Sequence, residues 1–282
     1  MINKLTLKLL IFTLILSCNQ NNDPFTTIIK PNRKYIKHLI ISSHSEVNFI
    51  ADKETLTQIE SNGYKLPIST EITSKMRTNI ITKKRDKNNE FFASKEYGEM
   101  TTTTIINGKS RIEKKPYSEM RILGKYNVLN EFVIDSIIGV SLTPQMKYFH
   151  TVTIENLEKK IKFPANIIKV GDTITNEELM TIPMQGMNPV YVIVKMEYLL
   201  KEIDENKAIF ELKQKVRLDT NWNQENIILN GSGFGRSVYD IPENQLINYT
   251  SELPMKLTIK INEKMTAKIK INMKSKQTIN IE

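Results

Sequence analysis

The chain has 282 residues, 40% of them hydrophobic and 25% charged, with 40 basic side chains against 31 acidic ones and a formal net charge of +9 at pH 7. That balance excludes a disordered chain and a bundle of membrane spans, and the length suffices for a sizeable core. One cysteine and three histidines exclude a disulfide framework and any cysteine-based zinc site.

At the N-terminus Lys4 and Lys8 accompany an apolar run, Leu9 to Leu16, which is shorter than the roughly 20 residues a bilayer span needs. The pattern predicts a secretion signal over residues 1–17. The run ends at Ile15-Leu16-Ser17-Cys18, and this ending resembles the lipobox of bacterial lipoproteins. The resemblance implies diacylglycerol on the Cys18 sulfur, cleavage before it, and an acylated new amino terminus. Several acyl chains anchor stably where one would be marginal. Asn19 stands where an aspartate would signal inner-membrane retention, so the resemblance favours the outer membrane, facing the periplasm or the cell surface. Residues 18–32 are then the lipidated cysteine and a polar tether, and 33–282 a β-rich domain.

Beyond the tether, strands are expected near 34–42, 64–84, 118–138, 226–238 and 244–251. Asp52 to Gly63 predicts a short helix. Asn107-Gly108 is a two-residue turn signal between a threonine-rich strand over 99–106 and a partner over 109–115. Thr143-Pro144 opens a predicted helix over 143–160, ending before Pro164. Residues 163–173 are the best candidate for a junction between two strand-rich halves. Thr175-Asn176-Glu177-Glu178 has the spacing of a capping box before a brief turn stopped by Pro183.

Two hairpins follow from parity. Val194, Met196, Tyr198 and Leu200 match Phe210, Leu212, Val216 and Leu218 around an odd loop, Glu205-Asn206-Lys207. In residues 255–281 the apolar side chains fall on odd positions and all seven lysines on even ones, which means a sheet with one apolar and one cationic face. The register then sets Leu257 against Ile269 and Ile259 against Ala267, with a loop at Asn262-Glu263-Lys264. The fold class is mainly β, antiparallel, a half-barrel or sandwich with two or three short helices. Residues 163–173 and Gly231-Ser232-Gly233-Phe234-Gly235 leading into Tyr239-Asp240 resemble a family of uncharacterised Gram-negative, Bacteroidetes-type lipoproteins. That resemblance implies architecture and no assigned activity.

Catalytic patterns are weak. The glycines at 231–235 lack the Lys-Ser/Thr ending of a phosphate loop and read as a bulged or closely packed strand. His44 with Ser42, Ser43 and Glu46 reads as a polar loop. Met180, Met184 and Met187 near Pro183 fill apolar gaps better than they hold Cu(I). No metal, cofactor or enzymatic role is expected. Removing residues 1–17 deletes two lysines and no acids and leaves +7, of which residues 255–282 supply +5. Only seven basic residues are arginine, and an exported address removes nucleic acid as a partner. Expected partners are the membrane, through the anchor, and an apolar or lipid ligand held by Met196, Tyr198, Phe210, Leu212, Leu257, Ile259 and Ile269. The alternative is an envelope module that meets a protein or glycan and has no ligand cavity, with a hydrolase third.

Overall fold

A computed structural model describes residues 27–61, 65–114, 120–139, 169–182, 190–221 and 226–282. All thirteen strands of these residues belong to one antiparallel sheet. The N-terminal half supplies β1 (Lys34–Ile50), β2 (Ile68–Thr82), β3 (Phe91–Tyr97), β4 (Thr101–Ile106), β5 (Lys109–Lys114), β6 (Arg121–Tyr126) and β7 (Phe132–Ile138). The C-terminal half supplies β8 (Thr173–Ile182), β9 (Val190–Asp204), β10 (Lys207–Leu218), β11 (Ile227–Asp240), β12 (Gln245–Asn262) and β13 (Met265–Ile281). Their spatial order is β7-β6-β3-β2-β1-β13-β12-β11-β10-β9-β8, with the β4–β5 hairpin added on β2. The halves join where β1 pairs with β13, and among the described residues β7 and β8 end the main strand order and β5 ends the added hairpin.

The parity expectations hold. Leu257 faces Ile269, Ile259 faces Ala267, and all seven lysines of 255–281 are exposed. Both predicted three-residue loops are instead two-residue turns, Glu263-Lys264 and Glu205-Asn206. Each is preceded in the chain by an irregularity, near Ile261 in one hairpin and near Lys201 in the other. The bulge supplies the third, odd residue that parity requires. Asn107 and Gly108 form the expected turn with φ of 46° and 83°, the double positive φ that a type I′ hairpin demands.

Thr175 to Glu178 do not begin a helix; they lie inside β8, paired with Glu197 to Val194 of β9. Ile174, Glu178, Met180 and Ile182 are buried while Thr175, Glu177 and Leu179 are exposed, so ladder pairing overrides the local capping preference. Among the described residues there is one helix, α1 (Lys53–Ser61), where Asp52 Oδ1 accepts from the Thr55 amide at 2.8 Å as N-cap. Gly63, the segment 143–160, His150, Met184 and Met187 lie outside the described residues.

The sheet is curled. The amide of Ile28 donates to the Asn244 carbonyl, in the β11–β12 turn, at 2.8 Å. The next amide, Ile29, donates to Asn130 Oδ1, in the β6–β7 turn, at 3.1 Å. These turns are six strand spacings apart, roughly 29 Å in a flat sheet, yet two consecutive residues reach both. At one end the sheet therefore closes to a narrow mouth, with residues 28–33 laid across it. Glu243 holds this strap through Lys30 and Arg33, and Thr82 Oγ1 donates to the Lys30 carbonyl at 2.8 Å.

A second bend runs along β11. β10 and β12, which flank it, approach within 8 Å between Cα atoms, closer than the roughly 9.6 Å of a flat sheet. Gly231, Gly233 and Gly235 occupy the inner positions of this bend. A Cβ on Gly233 would lie 2.4 Å from the Glu252 carbonyl oxygen and 2.9 Å from Gln214 Oε1. The glycine run is thus a closely packed strand, as its sequence predicts.

The concave face and the convex groove

One face of the sheet is apolar and buried from β8 to β13. Its core cluster contains Val190, Val192, Val194, Met196, Tyr198 and Leu200 of β9, Phe210 and Leu212 of β10, and Leu257, Ile259 and Ile269 of β12 and β13. All seven residues expected to meet an apolar ligand are buried members of this cluster. No second sheet covers the face among the described residues, and α1 buries none of its side chains. The N-terminal half carries a separate cluster, in which Tyr126 stacks on Phe91 at 5.1 Å and tilts against Phe132 at 5.0 Å. Buried Lys95 sits there with Nζ 3.7 Å from the Phe132 ring centroid, a cation–π contact.

Polar groups interrupt the apolar lining. Glu178 of β8 is 8% exposed and Gln214 of β10 is 1% exposed. Both Glu178 carboxyl oxygens and both Gln214 amide atoms are buried and have no hydrogen-bond partner among the described residues. By register Glu178 faces Val194, which faces Val216, so Gln214 stands two strands away and one inner position along. Burial pushes the Glu178 carboxyl up to about 8, so it is mostly protonated at pH 7 and offers both a donor and an acceptor. Burial also raises the Tyr249 hydroxyl; a hydrogen bond with Ser251 pulls against that rise, and the Glu178 charge adds to it. Tyr249 lies on β12, four strands from β8 in the sheet order, so this influence acts across the curled interior. Sequence reasoning missed Glu178 and Gln214. The signal for Gln214 is its even number inside the apolar even-numbered row Phe210, Leu212, Val216.

The opposite, convex face carries the cations and a groove of about 430 Å³. The groove is lined by His44 and Glu46 of β1, Asn230, Gly231 and Ser232 of β11, Pro254, Met255 and Lys256 of β12, and Lys270, Ile271 and Asn272 of β13. It lies where the β11–β12 register skips Ser232 and Gly233 opposite Leu253 and Pro254. Pro254 has no amide to donate to a ladder. His44 is exposed, 3.6 Å from a Glu46 oxygen and 3.5 Å from a Glu71 oxygen; Ser42 shares this face, and Ser43 is buried on the other. His38 is an exposed residue of β1, and Met180 is buried on the inner side of β8. Asp172 Oδ2 and Asp240 Oδ1 accept from backbone amides within their turns, as turn-forming aspartates do. Among the described residues no group of three acidic, histidine or cysteine side chains could hold a metal ion.

No family model matches the chain, and no curated protein matches it. Among solved structures it is similar to the translocator domain of the autotransporter NalP from Neisseria meningitidis, at 9% identity over 84% of this chain and 87% of that one. The TM-score is 0.26, too low to carry an argument about fold or function.

Proposed function

We propose that this protein is a lipoprotein held at the outer membrane through Cys18, and that it works as a non-catalytic binding module taking an apolar or lipid ligand against its concave face. The observation that carries the reading is the mismatch inside that face. Glu178 and Gln214 keep four polar atoms buried and, among the described residues, unpartnered within an apolar lining, and each such atom costs about 1–3 kcal/mol. A core that only had to pack would gain by replacing them with leucine. An apolar ligand with a hydrogen-bonding end would supply their partners while its chain lies along Met196, Tyr198, Phe210, Leu212, Leu257, Ile259 and Ile269.

The test is native mass spectrometry of the Cys18→Ala protein, with extraction of whatever it retains. The reading expects a bound amphiphile, and weaker uptake after Ile259→Lys in protein whose circular dichroism is unchanged. Wild-type concave-face residues that take up neither a fatty acid nor a monoacylglycerol would sink it. Anchoring is tested separately: Cys18→Ala should abolish incorporation of labelled palmitate and release the protein from membrane pellets. Label still entering that variant would overturn the anchor.

A further inference from the structure

We propose that the convex face of β10–β13 is a docking surface for anionic phospholipid, with a headgroup phosphate seated in the groove between Lys256 and Lys270. This is a different face from the one assigned to the ligand, and it rests on different observations. Lys256 and Lys270 stand directly opposite each other across the β12–β13 ladder. Like charges in that position oppose folding, so the pair is better explained by an anion between the two than by the sheet itself. Glu46 of β1 is registered against Lys270 and lies 3.9 Å from it, so Lys256 is the cation of the pair with no ion-pair partner among the described residues. Asn230 and Ser232 add neutral hydrogen-bonding groups around the same groove, and Asn272 donates to Glu252 at 2.7 Å.

The charge extends beyond the groove. Lys213 and Lys215 of β10, Arg236 of β11, and Lys268 and Lys276 of β13 point to this face, and none makes an ion pair with a described residue. Two large apolar side chains stand in the same field, on β11, at either end of the groove: Ile228 is 70% and Phe234 63% exposed. Phe234 is registered against Lys213. Free phosphate would need only the cations. Exposed apolar side chains set among lysines are what a bilayer interface selects, since the cations meet headgroups and the apolar groups enter the acyl boundary. That combination points to a lipid surface as the source of the phosphate.

The experiment is lysine acylation footprinting of the full chain with vesicles, read residue by residue by mass spectrometry. Vesicles with about 30% phosphatidylglycerol should protect Lys213, Lys256, Lys268, Lys270 and Lys276 at least threefold relative to purely zwitterionic vesicles. Exposed Lys84 and Lys87 on the β2–β3 loop should stay reactive in both. The double substitution Lys256→Glu, Lys270→Glu should remove the protection of the remaining three lysines. The control Lys84→Glu, Lys87→Glu, with the same change in net charge, should keep it. Phe234→Ser should halve the protection or more while leaving the charges in place. Equal loss in the control pair would overturn the proposal in favour of bulk charge. Protection by inorganic phosphate alone, as strong as that by vesicles, would overturn the assignment to lipid.

Discussion

Glu178 is a carboxyl held far from its ordinary state. Its carboxyl rises from 4.5 to about 8 because it is buried. Below pH 4.5 the group is protonated in both folded and unfolded chains and burial as a charge is not required. As pH rises, the unfolded chain ionises first, so stability falls by about 1.4 kcal/mol per unit until the folded group ionises near 8. For delipidated protein, the loss between pH 4.5 and 7 should reach about 3 kcal/mol, and Glu178→Gln should remove that slope. Urea unfolding of both proteins at the two pH values checks it, and parallel profiles would refute the buried, neutral carboxyl. Gly233 gives the steric counterpart. Gly233→Ala places a methyl 2.4 Å from a carbonyl oxygen and 2.9 Å from both Gln214 Oε1 and Leu253 Cδ1, so about 2–4 kcal/mol should be lost. Gly108→Ala meets no atom of the described residues within 4 Å. It carries only the strain of its positive φ, about 1 kcal/mol, and the two midpoints compared in one urea series separate crowding from strain.

At the scale of the strand, β12 and β13 show what alternation can and cannot specify. Because one face is buried and the other solvated, a one-residue slip would expose Leu257 and bury Lys256, so parity fixes the faces and the short turn then fixes the pairing. The same register that sets Leu257 against Ile269 sets Lys256 against Lys270, so the groove's central pair is legible in the sequence. Alternation cannot say whether the odd residue of a hairpin sits in the loop or in a bulge, since both restore the same faces. That is why Glu263-Lys264 and Glu205-Asn206 are tight turns where three-residue loops are expected. It also fails at β8, where Thr175 to Glu178 satisfy a local helix-start pattern and only the partner strand β9 decides otherwise. If Lys256 and Lys270 are retained for an anion, relieving their repulsion should stabilise the sheet. Lys256→Glu alone would create a cross-strand ion pair, so unfolding in low salt should shift toward greater stability by about 0.2–1 kcal/mol. A loss of stability would mean that Lys256 already has a favourable role in the fold.

For the whole molecule, the curl turns a flat sheet into something with an inside, and no local pattern announces it beyond three inward glycines on β11. At the narrow mouth it is held by side-chain and backbone bonds between segments more than 100 residues apart in the chain. Asn130 contributes two of them, accepting from the Ile29 amide at 3.1 Å and donating to its carbonyl at 2.6 Å. Asn130 also has a φ of 59°, so alanine would add backbone strain and confuse the reading, whereas glycine accepts that conformation. Asn130→Gly therefore removes the tie and keeps the turn. The β6–β7 turn should then swing away from the β11–β12 turn, because Ile28 would still be bonded to Asn244 while Ile29 would have lost its partner. Amide exchange at Ile29 should accelerate at least about tenfold, in line with a bond worth roughly 1.5 kcal/mol, while Ile28 changes less. The melting temperature should fall by about 3–6 °C for a chain of this size. If Ile29 and Ile28 exchange as slowly as before, the strap is held elsewhere and the curl is a property of the strands alone.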